Sequence, residues 1–182
     1  MTSGDNNNGW YLNNGTYDPT STSIARAPLS GSYDVVADQT GPGLSLLSES
    51  IALPSLITSA TFSWLDRIEN WYSSYNAAQR FSVFIVDNSS IAHLIFTTVP
   101  GDPLMQLGPN ARSFDVTGLA QSLAGQTINL RFENVTSLFY NTVAIDNISL
   151  VVNASTVPES GATIWLLAGA LGLLVLGQRF RR

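Results

Sequence analysis

The sequence predicts an all-β fold interrupted by one short helix, and three observations predict it. Between residues 24 and 152 the apolar residues come in short runs separated by Gly, Pro, Asn, Asp and Ser, the punctuation of strands and turns. Two of those runs alternate with a period of two: Ala60, Phe62 and Trp64 against Thr61 and Ser63, and Ile128, Leu130 and Phe132 against Asn129, Arg131 and Glu133. Such alternation sets one strand face in a core and the other in water. Helical periodicity is confined to residues 117–124.

A chain of 182 residues with 45% hydrophobic side chains can bury one core, so one domain followed by a tail is expected. Residues 1–23 are polar and glycine-rich and supply the first strand or loop. Residues 24–152 form the β-sandwich, 153–161 a linker and motif, and 162–182 an apolar run with a basic end.

Within the sandwich, residues 60–64 form a strand with one wet face. Residues 81–86 and 91–97 are continuously apolar, as in central strands, and Asp87-Asn88-Ser89-Ser90 turns the chain between them into a hairpin. The run 117–124 makes about two helical turns, from a cap at Thr117 to a stop at Gly125. Residues 128–133 form the next strand, and Val143, Ile145, Ile148, Ser149 and Leu150 close the domain.

Composition removes several chemistries. The chain has no cysteine, hence no disulfide, thiolate metal site or cysteine nucleophile. It has no lysine either, which removes Schiff-base and P-loop chemistry. Arg179, Arg181 and Arg182 crowd the terminus, leaving five arginines against thirteen acids in the body, a surface that repels a phosphate backbone. Nucleic acid is excluded as a partner on that ground.

The C-terminal half carries a resemblance. The run beginning Phe114-Asp115-Val116-Thr117-Gly118, the Ala124-Gly125-Gln126 turn before a strand, Leu130-Arg131-Phe132-Glu133-Asn134 and the closing Ala144-Ile145-Asp146-Asn147 resemble galactose-binding-like domains. The resemblance implies a jelly-roll β-sandwich, a layout shared by carbohydrate-binding modules and many other exported domains. It also implies a structural calcium at Asp146, whose carboxylate is the right hard oxygen ligand. The alternative is that Asp146 satisfies backbone donors nearby. Asp5, Asp38 and Glu49 are the further ligands to choose among.

The stretch 67–76 reads as a loop, where a jelly roll commonly exposes its connections, and holds Trp71, Tyr72 and Tyr75 among Arg67, Glu69, Asn70 and Asn76. Aromatic faces flanked by such donors suit a stacked sugar ring, and the same rings can simply cover the end of the core. Trp10, Tyr11, Phe139 and Tyr140 share both readings. The single histidine, His93, sits among apolar neighbours on the strand face of Ile91 and Ile95, where a core position is expected. A Ser-His-Asp arrangement needs His93 backed by Asp87 or Asp102 in a cleft, and no G-x-S-x-G is present. Asp66 with Glu69 or Glu133 offers carboxylate pairs of the kind used in glycoside hydrolysis, as any acidic domain does. The expected function is therefore a non-enzymatic, glycan-binding sandwich. A glycan-active hydrolase and a purely structural matrix protein are the alternatives.

After residue 152 the composition changes to a small polar linker, then Val157-Pro158-Glu159-Ser160-Gly161, then sixteen residues (162–177) without a charge. As a helix these span roughly 24 Å, and extension to Phe180 gives nineteen residues and roughly 28 Å, close to a bilayer core of about 30 Å. Arg179, Arg181 and Arg182 then lie on the cytoplasmic side and the sandwich outside. Pro158 and Gly161 keep the pentad extended and accessible to a peptidase. This pentad, apolar run and basic end resemble the PEP-CTERM sorting signal in its V-P-D-S-G form, with Glu159 where that form has Asp. The resemblance implies a Gram-negative host that makes extracellular polysaccharide, an exosortase-type peptidase as partner, and delivery to the cell surface or matrix. It also implies a signal peptide, which residues 1–23 do not supply, so Met1 is expected to lie inside a longer precursor or at a misassigned start. A plain, uncut membrane anchor is the alternative.

Overall fold

The computed structural model describes residues 9–16, 25–38, 42–137 and 139–155. Nine strands occur in them: β1 Trp10–Asn13, β2 Asp34–Ala37, β3 Gly43–Ala52, β4 Ile57–Asn70, β5 Arg80–Val86, β6 Ala92–Thr97, β7 Met105–Asp115, β8 Thr127–Thr136 and β9 Asn141–Ala154, with helix α1 at Thr117–Ser122. They form two antiparallel sheets, β1-β2-β9-β4-β7 and β3-β8-β5-β6. Apart from β1, the chain crosses between sheets at every step except the β5–β6 hairpin. This is the strand order of an eight-stranded double Greek key, the jelly roll.

The core lies between the sheets and is built by the alternating residues. Ala60, Phe62 and Trp64 point inward from β4, and Ile128, Leu130 and Phe132 from β8, all 3% exposed or less. Trp64 stacks on Phe114 at 5.3 Å and meets Phe132 and Phe96 edge-on at 5.9 and 6.0 Å, geometries that aromatic quadrupoles favour. The hairpin forms as expected, but only β5 is central. β6 is a sheet edge, with Leu94 55% exposed, because nothing among the described residues pairs with its far side.

Helix α1 ends two residues before the expected Ala124, and Thr117 does not cap it. Asp115 Oδ1 accepts the Thr117 N–H at 2.9 Å, while the Thr117 hydroxyl accepts the Ala60 N–H at 3.0 Å and ties the helix to β4. Gly125 (φ +76°) then turns the chain into β8.

The inward face of β4 continues past Trp64 to Asp66, which is fully buried. Its carboxylate accepts Trp64 Nε1–H (3.0 Å), Asn110 Nδ2–H (3.0 Å), Arg112 Nε–H (2.8 Å) and Arg112 Nη2–H (3.0 Å), so every lone-pair direction is used. Asn110 pairs opposite Asp66 and Arg112 opposite Trp64, and beyond them β7 makes an excursion over residues 107–109, between the pairs Ile68–Gln106 and Asp66–Asn110. At its centre Gly108 has φ +60°, and a Cβ there would lie 2.5 Å from the Asp66 carbonyl oxygen. Gly108→Ala is expected to cost about 1–3 kcal/mol, read as a lowered urea midpoint at unchanged m-value.

On the other face of β4, Arg67 and Glu69 lie under the segment 25–34. Glu69 pairs with Arg26 at 2.6 Å, and Arg67 donates to the Ala27 carbonyl at 3.0 Å with Asp34 at 3.8 Å. Burial lowers the Arg67 pKa, and Asp34 and Glu69 partly offset this. The residues expected to start an exposed loop at position 67 are therefore the buried end of β4.

β2 meets β9 only at Val143–Ile145, so beyond Asp146 no described strand flanks β9 on that side. Between it and β3 opens an apolar cleft of about 230 Å³, with Leu130 and Phe132 at the floor, Leu47 and Ile148 on the walls and Glu49 beside them.

Candidate glycan-binding end of the sandwich

Asn70 at the end of β4, Gln79 just before β5, Asn134 near the end of β8 and Asn141 at the start of β9 place buried amides beneath one end of the sandwich. Gln79 Oε1 accepts the Ser137 N–H at 3.1 Å, and its Nε2 faces Asn70 Oδ1 (3.0 Å) and the carbonyls of Phe139 (3.1 Å) and Tyr140 (3.4 Å). Asn70 Oδ1 also accepts the Tyr72 N–H at 2.9 Å, and Asn134 and Asn141 exchange bonds of 2.6 and 2.7 Å. One side chain thus ties the loop after β4 to the loop after β8, and a backbone bond from the Trp71 N–H to the Tyr140 carbonyl (3.0 Å) closes the join.

On this platform stand four aromatic residues. Trp71 is 36% exposed and Phe139 49%, with Tyr72 and Tyr140 half-buried. Phe139 and Tyr140 are 5.9 Å apart and nearly perpendicular. The structure therefore brings together Trp71 and Tyr72, expected as a glycan surface, with Phe139 and Tyr140. Their common end is hidden in the sequence by the 66 and more residues between them, although the asparagines at three strand ends are a visible signal.

Tyr75, expected with them, does not join. It is fully buried, its hydroxyl aimed at the carbonyls of Pro103 (3.5 Å) and Leu104 (3.4 Å), and burial pushes its phenol up to about 12. The loop folds back through an Asn76–Gln79 bridge, which turns the Tyr75 ring into a plug for the core. Trp10 likewise packs against the core, and Tyr11 is half-buried on β1.

The other expected centres resolve differently. His93 is not a core residue: its side chain is 33% exposed, and Nε2 lies 3.3 Å from Asp87 Oδ2. Asp87 Oδ1 accepts the N–H groups of Ser89 (2.8 Å) and Ile91 (2.9 Å), so the pair closes the β5–β6 turn. Asp102 instead accepts the Val99 N–H at 2.8 Å. The bond from Ile91, then those from His93 and Ser89, hold the Asp87 carboxyl below its ordinary value. A depressed folded-state pKa means stability present above the unfolded carboxylate pKa of about 3.9 and lost as pH falls through the folded value. Asp87→Asn is expected to flatten the acid limb of a stability–pH curve below about pH 4, read by circular dichroism.

Asp66, Glu69 and Glu133 are each in an ion pair, with Arg112, Arg26 and Arg131, and Asp66 and Glu69 are buried away from any sugar. Asp146 Oδ1 accepts its neighbour's N–H, from Asn147, at 2.7 Å, and Oδ2 has no partner among the described residues. Asp38 is taken by the Thr142 hydroxyl at 3.1 Å, and Glu49 lies on the opposite sheet. Asp5 lies outside the described residues. Among the described residues no three acidic or histidine side chains gather.

No protein-family model and no curated protein matches the chain. Solved structures resemble it: TmCBM61 in complex with beta-1,4-galactotriose (10% identity, 79% of this chain and 88% of that one, TM-score 0.45) and a CBM4 structure (15%, 82% and 90%, 0.44). A xylanase 10C of Cellvibrio japonicus in complex with xylopentaose matches over 28% of its own length (12% identity, 81% of this chain, TM-score 0.43). The jelly-roll assignment rests on the strand order and not on these likenesses.

Proposed function

We propose that this chain is a non-catalytic β-sandwich that binds glycan at the end carrying Trp71, Tyr72, Phe139 and Tyr140. The observation that carries the reading is the platform itself: exposed rings from two distant loops, fixed by one buried glutamine, so little ordering entropy is lost when a sugar stacks on them. Titration calorimetry with a panel of soluble polysaccharides tests it. Saturable binding without release of reducing ends is the expected result. Turnover would favour a hydrolase, and absence of binding across the panel would favour a structural matrix role.

We further propose delivery to the cell surface by the C-terminal signal. Residues 157–161, the apolar run and Arg179, Arg181 and Arg182 support it by their order, and they lie outside the described residues. Among the described residues no helix is long and apolar enough to cross a membrane. Intact mass of the mature protein from its host reads the outcome. Loss of the chain beyond the 157–161 motif is expected with an exosortase-type peptidase, and a terminus at Arg182 would overturn cleavage.

A further inference from the structure

We propose that the free edge of β3 pairs with β3 of a second copy of this chain, joining two four-stranded sheets across a two-fold axis. Sheet edges invite such pairing unless something blocks them. The other edges here are blocked: β7 by Pro109 and its excursion, β6 by its six-residue length and a bulge against β5, and β1 by its four residues. β3 has none of these. It matches β8 over ten consecutive pairs without a bulge, contains no proline, and among the described residues nothing pairs with its other side. Leu44 and Leu46 are 47% and 52% exposed on its outer face.

The sequence of β3 also fits itself. A two-fold axis perpendicular to the sheet keeps outward residues outward, so opposed residue numbers must sum to an even number. Centred on Leu46, the antiparallel register sets Leu46 against its own copy, Leu44 against Ser48, Ser45 against Leu47 and Gly43 against Glu49. The four outer leucines then cluster, directly or diagonally. The only charge on the strand, Glu49, falls beside a residue with no side chain. One strand further in, Glu133 lies opposite Leu46 and keeps its own Arg131 at 2.9 Å, so no like charges meet. Such an isologous contact closes on itself as a dimer.

The chain has no cysteine, so a single Leu46→Cys in the full chain is its own probe. Opposed residues of antiparallel strands have Cα atoms about 4.5–5.5 Å apart, within the roughly 4.4–6.8 Å that a disulfide spans. Mild oxidation is expected to convert most Leu46→Cys protein to a covalent dimer on a non-reducing gel. Ser48→Cys alone should run as a monomer on that gel, and mixing it with Leu44→Cys should restore the cross-link. Val151→Cys, exposed on the other sheet, is the reference. If Leu46→Cys cross-links no faster than Val151→Cys, or all four variants cross-link alike as association through residues 162–177 would give, the proposal is overturned.

Discussion

Asp66→Ala is expected to lower the free energy of unfolding by about 3–5 kcal/mol, the cost of removing one partner from a buried ion pair. A domain holds about 5–15 kcal/mol in all, so the variant should be largely unfolded well below the wild-type urea midpoint. The loss is large because the carboxylate serves three side chains. The Trp64 indole N–H and the Asn110 amide are left facing an empty site, and the Arg112 guanidinium loses its counter-ion. Arg112 is only partly exposed, at 22%, although it keeps Gln106 Oε1 at 2.7 Å and the face of Phe96 at 4.6 Å. A cycle with Arg112→Met separates the pair from its surroundings: the double variant should be more stable than the two single losses added together imply. A single loss under about 1 kcal/mol would show that water replaces the carboxylate.

Trp71→Ala is expected to weaken glycan binding by on the order of thirtyfold, about 2 kcal/mol, as for a central aromatic anchor. The ring is exposed and the backbone bond to Tyr140 is retained, so the free energy of unfolding in urea should move by no more than about 0.5 kcal/mol. Phe139→Ala should behave likewise. Tyr75→Ala should do the opposite, costing about 3–5 kcal/mol of stability by opening a cavity at the end of the core. Calorimetric titration beside urea unfolding separates the two classes. Unchanged affinity in both Trp71→Ala and Phe139→Ala would move the binding surface elsewhere on the sandwich.

Several of these distinctions are legible in the order of residues alone. The period of two that begins at Ala60 carries through Phe62 and Trp64 to Asp66, which puts this carboxylate on the buried face, a signal that treating it as one of several available acids passes over. The hairpin at residues 87–90 is equally plain, because Asp87 closes it with bonds to residues two and four further on. The edge position of β6 is not. An apolar run marks a strand that can be covered, and only the absence of a neighbour among the described residues shows that Leu94 is not.

The all-β class, the two faces of β4 and β8, the short helix and the exclusion of cysteine and lysine chemistry are all readable from periodicity and composition. Periodicity is a property of the local backbone, and composition needs no geometry. Which aromatics stand in water and which plug the core follows from tertiary packing alone. Trp71 and Tyr75 sit in the same polar setting four residues apart, yet one lies over Tyr140 and the other under Pro103 and Leu104. Burial of a side chain depends on which distant segment covers it, and that segment is chosen by the pairing of the sheets.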